Sequence, residues 1–252
     1  LQTKGVSVRF GGLVAVNAVD VAISEGTIHG VIGPNGAGKT TFFNALIGLA
    51  ELSGGSIVFG GEDITRLPTY RRVRLGMSRS FQSVQLIPQF TVLENVLIGL
   101  HDRIRDNPLR SFLSFSGRAP AEEQAQYRVV EILTFLGIED TLFKRPMELS
   151  FAEQRFVEIA RALVSKPKLL MLDEPAAGLS PNEVLDLNAL LRRVRAESVV
   201  TVILVEHVLS LVFDVSDRIT VFDNGRVIAD GVPAEVGANP KVKSAYLGDA
   251  HA

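Results

Sequence analysis

Gly33-Pro34-Asn35-Gly36-Ala37-Gly38-Lys39-Thr40 fits the spacing G-x-x-x-x-G-K-[ST], a pattern suited to holding a chain of phosphates. Glycines let successive backbone N–H groups turn inward around phosphate oxygens, and a helix opening at Lys39 adds the partial positive charge of its N-terminus. Asn35, Gly36, Ala37 and Gly38 form the amide cradle. Lys39 is placed to reach the β and γ phosphates. The Thr40 hydroxyl is placed to ligate Mg2+, with Thr41 beside it on the phosphate side. A chance glycine-rich turn is the competing reading, but it would need no strand before it and no helix after it. The loop alone leaves ATPase, GTPase and kinase open.

Leu169-Leu170-Met171-Leu172-Asp173-Glu174 is an apolar run ending in two acids. In parallel α/β sheets, ligands sit at the carboxyl edge of the strands. A carboxylate there can hold Mg2+ through its water shell, and its neighbour can polarise an attacking water. A solvated strand end would also carry such a dipeptide. The presence of a phosphate loop favours the chemical reading.

The elements that must position these groups are visible in the periodicity. Val6, Val8 and Phe10 alternate with polar residues, as do Val19, Val21 and Ile23, which reads as half-buried antiparallel strands. Leu169–Leu172 and Val199–Val205 are apolar without alternation, as in strands covered on both faces. Ser180-Pro181-Asn182-Glu183 is a capping box that opens a helix with an apolar face at Val184, Leu187, Leu191 and Val194. Gly60-Gly61 and Asn224-Gly225 mark hairpins. The stretch from about Leu93 to Leu163 is mainly helical. The expectation is an α/β fold: a P-loop NTPase core with a mixed sheet, an antiparallel β subdomain and an inserted α-helical subdomain. The expected domains are 1–92 with 164–252 for the core and 93–163 for the insertion.

Composition narrows the classes. The chain has 252 residues, 46% of them hydrophobic and 21% charged, a globular balance. A formal net charge of −2 gives no basic excess for nucleic acid, and the lack of cysteine removes disulfides, thiol catalysis and Cys-ligated zinc. The longest near-continuous apolar stretch, Val199–Val205, is far short of the ~20 residues of a spanning helix. The N-terminal segment has no secretory-signal pattern, so the expectation is a soluble chain with peripheral membrane contact at most.

With the two acids in place, the sequence resembles the nucleotide-binding subunits of ABC transporters, over nearly the whole chain from about Val6 to Gly248. The resemblance implies that Asp173 is the Walker B aspartate and Glu174 the catalytic glutamate. It further implies that Phe10 stacks on adenine and Val16 contacts it. Gln82, in Arg79-Ser80-Phe81-Gln82, matches the glutamine that joins core and insertion, and His207, in Val205-Glu206-His207, matches the switch histidine. The implied metal ligands are Thr40, Gln82 and Asp173, and the implied cofactors are ATP and Mg2+. Each of these single residues would otherwise read as core, cap or surface; their joint order carries the match. His29 reads as structural, while His101 and His251 carry no signal.

The family's L-S-G-G-Q segment reaches the nucleotide of the opposite subunit. A literal Leu52-Ser53-Gly54-Gly55 lies in the wrong place and reads as a turn into a strand. The positional match is Leu149-Ser150-Phe151-Ala152-Glu153, opening a helix. It departs from the pattern at Ala152 and Glu153, and Ser150 with Glu153 also forms a capping box. A carboxylate facing a γ-phosphate is a like charge, so a weakened signature is expected, and with it an unlike partner cassette in preference to an identical one. Ser180 likewise stands where many members carry Asp.

Phe10 through Val16, Arg79 through Val96, and Ser216 through Gly248 resemble the LivG-type ATPases of branched-chain amino acid importers. Urea or amide uptake and lipopolysaccharide-export ATPases share much of this pattern. The implied partners are a second ATP-binding subunit, two transmembrane permeases and, indirectly, a periplasmic binding protein, with the chain on the cytoplasmic face of the inner membrane. A GTPase would carry an N-K-x-D motif, which is absent. A non-transport ABC ATPase would carry coiled coils or a fused second cassette. Arg66, Arg71, Arg72, Arg74 and Arg79 read as a solvated basic face, with lipid headgroups as the alternative. Residues 107–120 read as an apolar patch for a membrane subunit or a surface loop.

Overall fold

The computed structural model describes residues 1–80, 84–100 and 120–247. Gln82 and nearly all of 107–120 lie outside them. The chain forms two compact units. The first holds residues 1–79, 168–177 and the chain from Val184 onward; the second holds the described residues of 80–167 together with Gly178–Glu183. The insertion therefore begins at Ser80 rather than at 93 and ends at Pro167 rather than at 163, and it takes in the turn ahead of Pro181. These boundaries follow contacts, which the hydrophobic period does not report.

In the first unit, β1 (Gln2–Phe10) and β2 (Leu13–Ala22) are followed by β3 (Ile28–Ile32), which runs into the phosphate loop and helix α1 (Lys39–Ile47). The hairpin of β4 (Gly54–Phe59) and β5 (Glu62–Asp63) turns at Gly60-Gly61, and α2 (Thr69–Arg74) leads to β6 (Met77–Arg79). The second unit contributes α3 (Val92–Leu97), α4 (Pro120–Leu136) and α5 (Phe151–Leu163). The chain then returns through β7 (Leu169–Asp173), α6 (Pro181–Glu197), β8 (Thr201–Val205) and α7 (Leu209–Val215). It closes with β9 (Arg218–Asp223), β10 (Arg226–Gly231), α8 (Pro233–Ala238) and α9 (Pro240–Leu247).

Two sheets result, in the orders β2-β1-β4-β5 and β10-β9-β3-β8-β7-β6. The first is antiparallel, as the alternation required; the second is parallel except for β10. Every residue of β3, β7 and β8 is buried, which explains why their sequences do not alternate. Helix α1 lies in the core between the sheets: Phe42, Phe43 and Leu46 pack with Val6, Val19 and Ile57 of one and with Val31, Met171 and Ile203 of the other. The Asn224-Gly225 turn has φ of 45° and 75°, the left-handed pair that an Asn-Gly hairpin supplies.

Arg72 corrects the expectation of a wholly solvated basic face. It is buried and donates to Ala45 O and Leu46 O at 2.7 Å, to Leu67 O at 2.8 Å and to Thr65 O at 3.1 Å. Two of those carbonyls end α1, so the guanidinium caps the negative pole of the phosphate-binding helix.

In the second unit, α3, α4 and α5 pack on one another, and Val92, Val96, Val129, Leu133, Val157 and Ala160 are buried in them. Glu158 is buried there and accepts from Gln85 N at 2.8 Å, Arg155 at 3.1 Å and Arg161 at 3.4 Å. Burial raises its carboxyl and these donors pull it back.

His29 of β3 is structural, as expected. The Thr220 hydroxyl donates to Asp230 at 3.1 Å, so at 2.7 Å from Nε2 it accepts the imidazole proton. Burial pushes His29 from 6.5 down to about 4, against the pull of Asp230. Between those values the unfolded chain binds a proton that the fold refuses. This contribution to stability is therefore complete above about 6.5 and shrinks as pH falls towards 4. Urea unfolding between pH 7 and pH 4.5 is expected to show wild type losing about 2 kcal/mol more than His29→Gln; equal losses would show that the imidazole is not held neutral.

Candidate nucleotide site

The phosphate loop is shaped from outside as much as from within. Gly38 has φ of 98°, and a Cβ there would stand 2.4 Å from Ala15 O of β2 and 3.3 Å from Gly225 Cα. Gly33 is equally confined: a Cβ would reach Phe222 O of β9 at 2.2 Å. Gly225 N donates to Ala37 O at 3.0 Å and Asn17 N donates to Gly225 O at 2.8 Å, so the β9–β10 hairpin tip stitches the loop to β2. The Lys39 ammonium donates to Gly33 O at 2.7 Å and Pro34 O at 2.9 Å, folded along its own loop. Burial lowers its pKa, while Glu174 and Asp173 oppose that shift. Tyr246 of α9 hydrogen-bonds to the Gly33 backbone; burial still leaves its phenol raised.

The two acids leave β7 in different environments. Asp173 is buried, with Oδ2 at 2.7 Å from the Arg79 guanidinium, which also donates to Asn44 Oδ1 on α1 at 2.6 Å. Burial raises the Asp173 carboxyl and the Arg79 bond pulls it down. Its Oδ1 is buried without a hydrogen-bond partner. Glu174 adopts φ of 50°, a conformation that L-residues rarely hold. Its N–H donates to Val205 O at 2.8 Å, and its Oε1 lies 2.9 Å from His207 Nε2. His207 follows β8, whose register puts Val205 opposite Asp173, so adjacent strand ends deliver both side chains.

These groups surround one cleft of about 460 Å³. Phe10, Asn35, Gly36, Ala37, Gly38, Lys39, Thr40, Thr41, Glu174 and His207 all line it. Phe10 is 57% exposed, a ring left open to a ligand. Asp173 stands behind the cleft. Val16 does not reach it. It is fully buried in the core with Val8 and Val19; the β1–β2 pairing shifts register between Val14 and Val16, and the β2 residues at the cleft are Leu13, Val14 and Ala15. The adenine contact assigned to Val16 is thereby corrected.

Ser150, Ala152 and Glu153 belong to the second unit. Ser150 caps α5: Glu153 N donates to Ser150 Oγ at 3.2 Å and Ser150 N donates to Glu153 Oε2 at 2.6 Å. Ala152 is buried, so Ser150 and Glu153 are the two that present polar groups at the surface. The Phe151 ring fills the space beside Gly178, where a Cβ would come within 2.9 Å of it.

Sequence reasoning missed several participants. Arg79, counted with the solvated arginines, is instead the partner of Asp173. Its place on a strand next to the acid-bearing strand was the available signal. Asn224 and Gly225 line the cleft, although their turn signature suggested only a hairpin. Nothing in the sequence placed Tyr246 at Gly33.

The residues present fit a divalent cation that arrives with a phosphate ligand. Asp173 offers an oxygen with no other partner and Thr40 offers a hydroxyl at the cleft, while no cluster of three or more His, Asp or Glu capable of holding a metal occurs among the described residues. No helix among them is long and apolar enough to cross a membrane.

Known proteins agree with this geometry. A family described as ABC transporter matches residues 16–177, and one described as branched-chain amino acid ATP-binding cassette transporter matches residues 226–252. The high-affinity branched-chain amino acid transport ATP-binding protein BraF of Pseudomonas aeruginosa is 41% identical over 99% of this chain and 98% of its own. LivG of Escherichia coli, of the same description, is 39% identical with the same coverage. A crystal structure of the ADP conformation of an ABC transporter ATP-binding cassette superposes with a TM-score of 0.85 at 32% identity, covering 98% of each chain. A dimeric cassette in a post-hydrolysis state bound to ADP and Pi gives 0.76 at 25% identity, covering 92% of this chain and 98% of that one. With its phosphate loop, Glu174 and His207 around one cleft and Asp173 behind it, the chain belongs to the ABC transporter family, as one of its ATP-binding cassettes.

Proposed function

We propose that this chain hydrolyses Mg·ATP to power import of branched-chain amino acids, from the cytoplasmic face of the membrane that holds its permeases. One observation carries the hydrolytic reading: Glu174 and His207 stand 2.9 Å apart across the cleft that the phosphate loop forms. The Phe10 ring stacks on the adenine. Loop amides and the Lys39 ammonium, released from Gly33 O and Pro34 O, hold the β and γ phosphates. Thr40, Asp173 and Gln82 are the residues that would hold Mg2+; when bound, the ion supplies charge neutralisation at the phosphate oxygens. Glu174 orients the attacking water and draws its proton. His207 fixes the Glu174 carboxylate and steadies the γ-phosphate as charge develops.

Two cassettes close head to tail in this reading, and Ser150 at the start of α5 faces the nucleotide of the other subunit. Glu153 brings a carboxylate to that face, which favours an unlike partner able to confine the weakened signature to one site. The cargo is inferred from BraF and LivG and from the matched C-terminal segment. Urea or amide uptake and lipid export remain the alternatives within the family.

Glu174→Gln, assembled with its partner, is expected to cut ATP turnover about a hundredfold while still binding ATP and gaining dimer on size-exclusion chromatography; unchanged turnover would remove Glu174 from the reaction. Glu153→Gln is expected to raise turnover about fivefold, the equivalent of ~1 kcal/mol of like-charge repulsion relieved. Equal rates would end the argument for a weakened signature. In proteoliposomes with the permeases, leucine-, isoleucine- or valine-loaded binding protein is expected to stimulate ATPase. Stimulation by urea or an amide instead would transfer the assignment to that cargo.

A further inference from the structure

Glu206 is a buried carboxylate outside the cleft, 2% exposed, between β8 and the switch histidine. Its oxygens are occupied by backbone N–H groups from two separate segments. Oε1 accepts from Ala176 N at 2.6 Å, in the turn that follows Glu174. Oε2 accepts from His207 N at 2.9 Å and from Val208 N at 3.2 Å. Burying a carboxylate is costly, and charge-assisted bonds to N–H groups are the form of compensation found here. An apolar residue would fill the same space at lower desolvation cost but would leave three N–H groups without these acceptors.

The two segments joined in this way carry the two groups whose spacing matters. Glu174 holds its left-handed backbone between β8 on one side, through Val205 O, and Ala176 on the other, and Ala177 N donates to Glu174 O at 3.1 Å within the same turn. Glu206 therefore pins the far side of that turn to the backbone of His207. Freed of this clamp, a residue at φ of 50° can relax, and the Glu174–His207 hydrogen bond is what the relaxation would break.

We propose that Glu206 is a positioning residue for hydrolysis, a carboxylate staple that holds the Glu174 turn and the His207 backbone in register without touching the nucleotide. This rests on the hydrolytic reading of the site. A group of this kind acts on the chemical step and not on ATP binding, since Phe10, the loop amides and Lys39 are left in place.

The test is steady-state ATPase on the assembled transporter, with binding of a non-hydrolysable ATP analogue measured in parallel. Glu206→Ala is expected to lower kcat about tenfold or more, with KM and analogue affinity within about twofold of wild type. Glu206→Gln keeps the shape and one acceptor oxygen and is expected to recover part of the loss. In a His207→Ala background, Glu206→Ala should cost less than about twofold, because the pair it aligns is already broken. An unchanged kcat, a parallel loss of nucleotide affinity, or losses that multiply with His207→Ala would each overturn the proposal. Should Glu206→Ala not fold, Glu206→Gln carries the same comparisons. An assembled wild type that binds but does not cleave ATP would overturn the hydrolytic reading itself; an active wild type with indifferent variants would overturn this inference alone.

Discussion

Asp173 lies opposite Val205, and Val205 opposite Val31, in the parallel ladder of β7, β8 and β3. The rest of the site depends on that register. It brings three strand ends to one edge, so that Gly33, the two acids and His207 emerge side by side, with Glu174 and His207 lining the cleft and Asp173 behind it. A slip of one residue would turn each emerging side chain to the opposite face of the sheet. With both faces apolar, side-chain alternation does not set this register; the polar strand ends do, through Asp173 on Arg79 and the Glu174 N–H on Val205 O.

The edge so formed is polar and costly, and its costs are met locally. Asp173 is buried against Arg79, Glu206 against backbone N–H groups, and Lys39 against carbonyls of its own loop. Glu174 carries a left-handed backbone that the fold imposes. Each is a position where a stability-optimised protein would place something simpler, and each lies at or just behind the cleft. Arg72, which completes the C-terminus of α1, belongs to the same arrangement from the other end of the phosphate-binding helix.

Much of this was legible in advance. The G-x-x-x-x-G-K-T spacing, the apolar strand ending in Asp173-Glu174, the capping boxes at Ser150 and Ser180 and the Asn224-Gly225 turn all rest on local backbone physics. Each is found where its pattern placed it. The adenine contact that the resemblance implied for Val16 failed at an irregularity in the β1–β2 pairing: Val14 lines the cleft, and Val16, past the register shift, is fully buried in the core. Arg72 and Arg79 failed because a run of arginines carries no record of which of them the tertiary structure buries.

The sequence alone determined which groups were on hand: a phosphate-loop spacing, an apolar strand ending in two acids, and a histidine after the next apolar strand, in the order of one family. That information is local, held in glycine spacing, strand ends and helix caps, each of which depends on residues a few positions apart. Tertiary structure alone decided how those groups were supported. The partners of Asp173, Gly38, Gly33 and Glu174 are Arg79, Ala15, Phe222 and His207, all distant in the chain. Their meeting depends on strand order, which no short window of residues records.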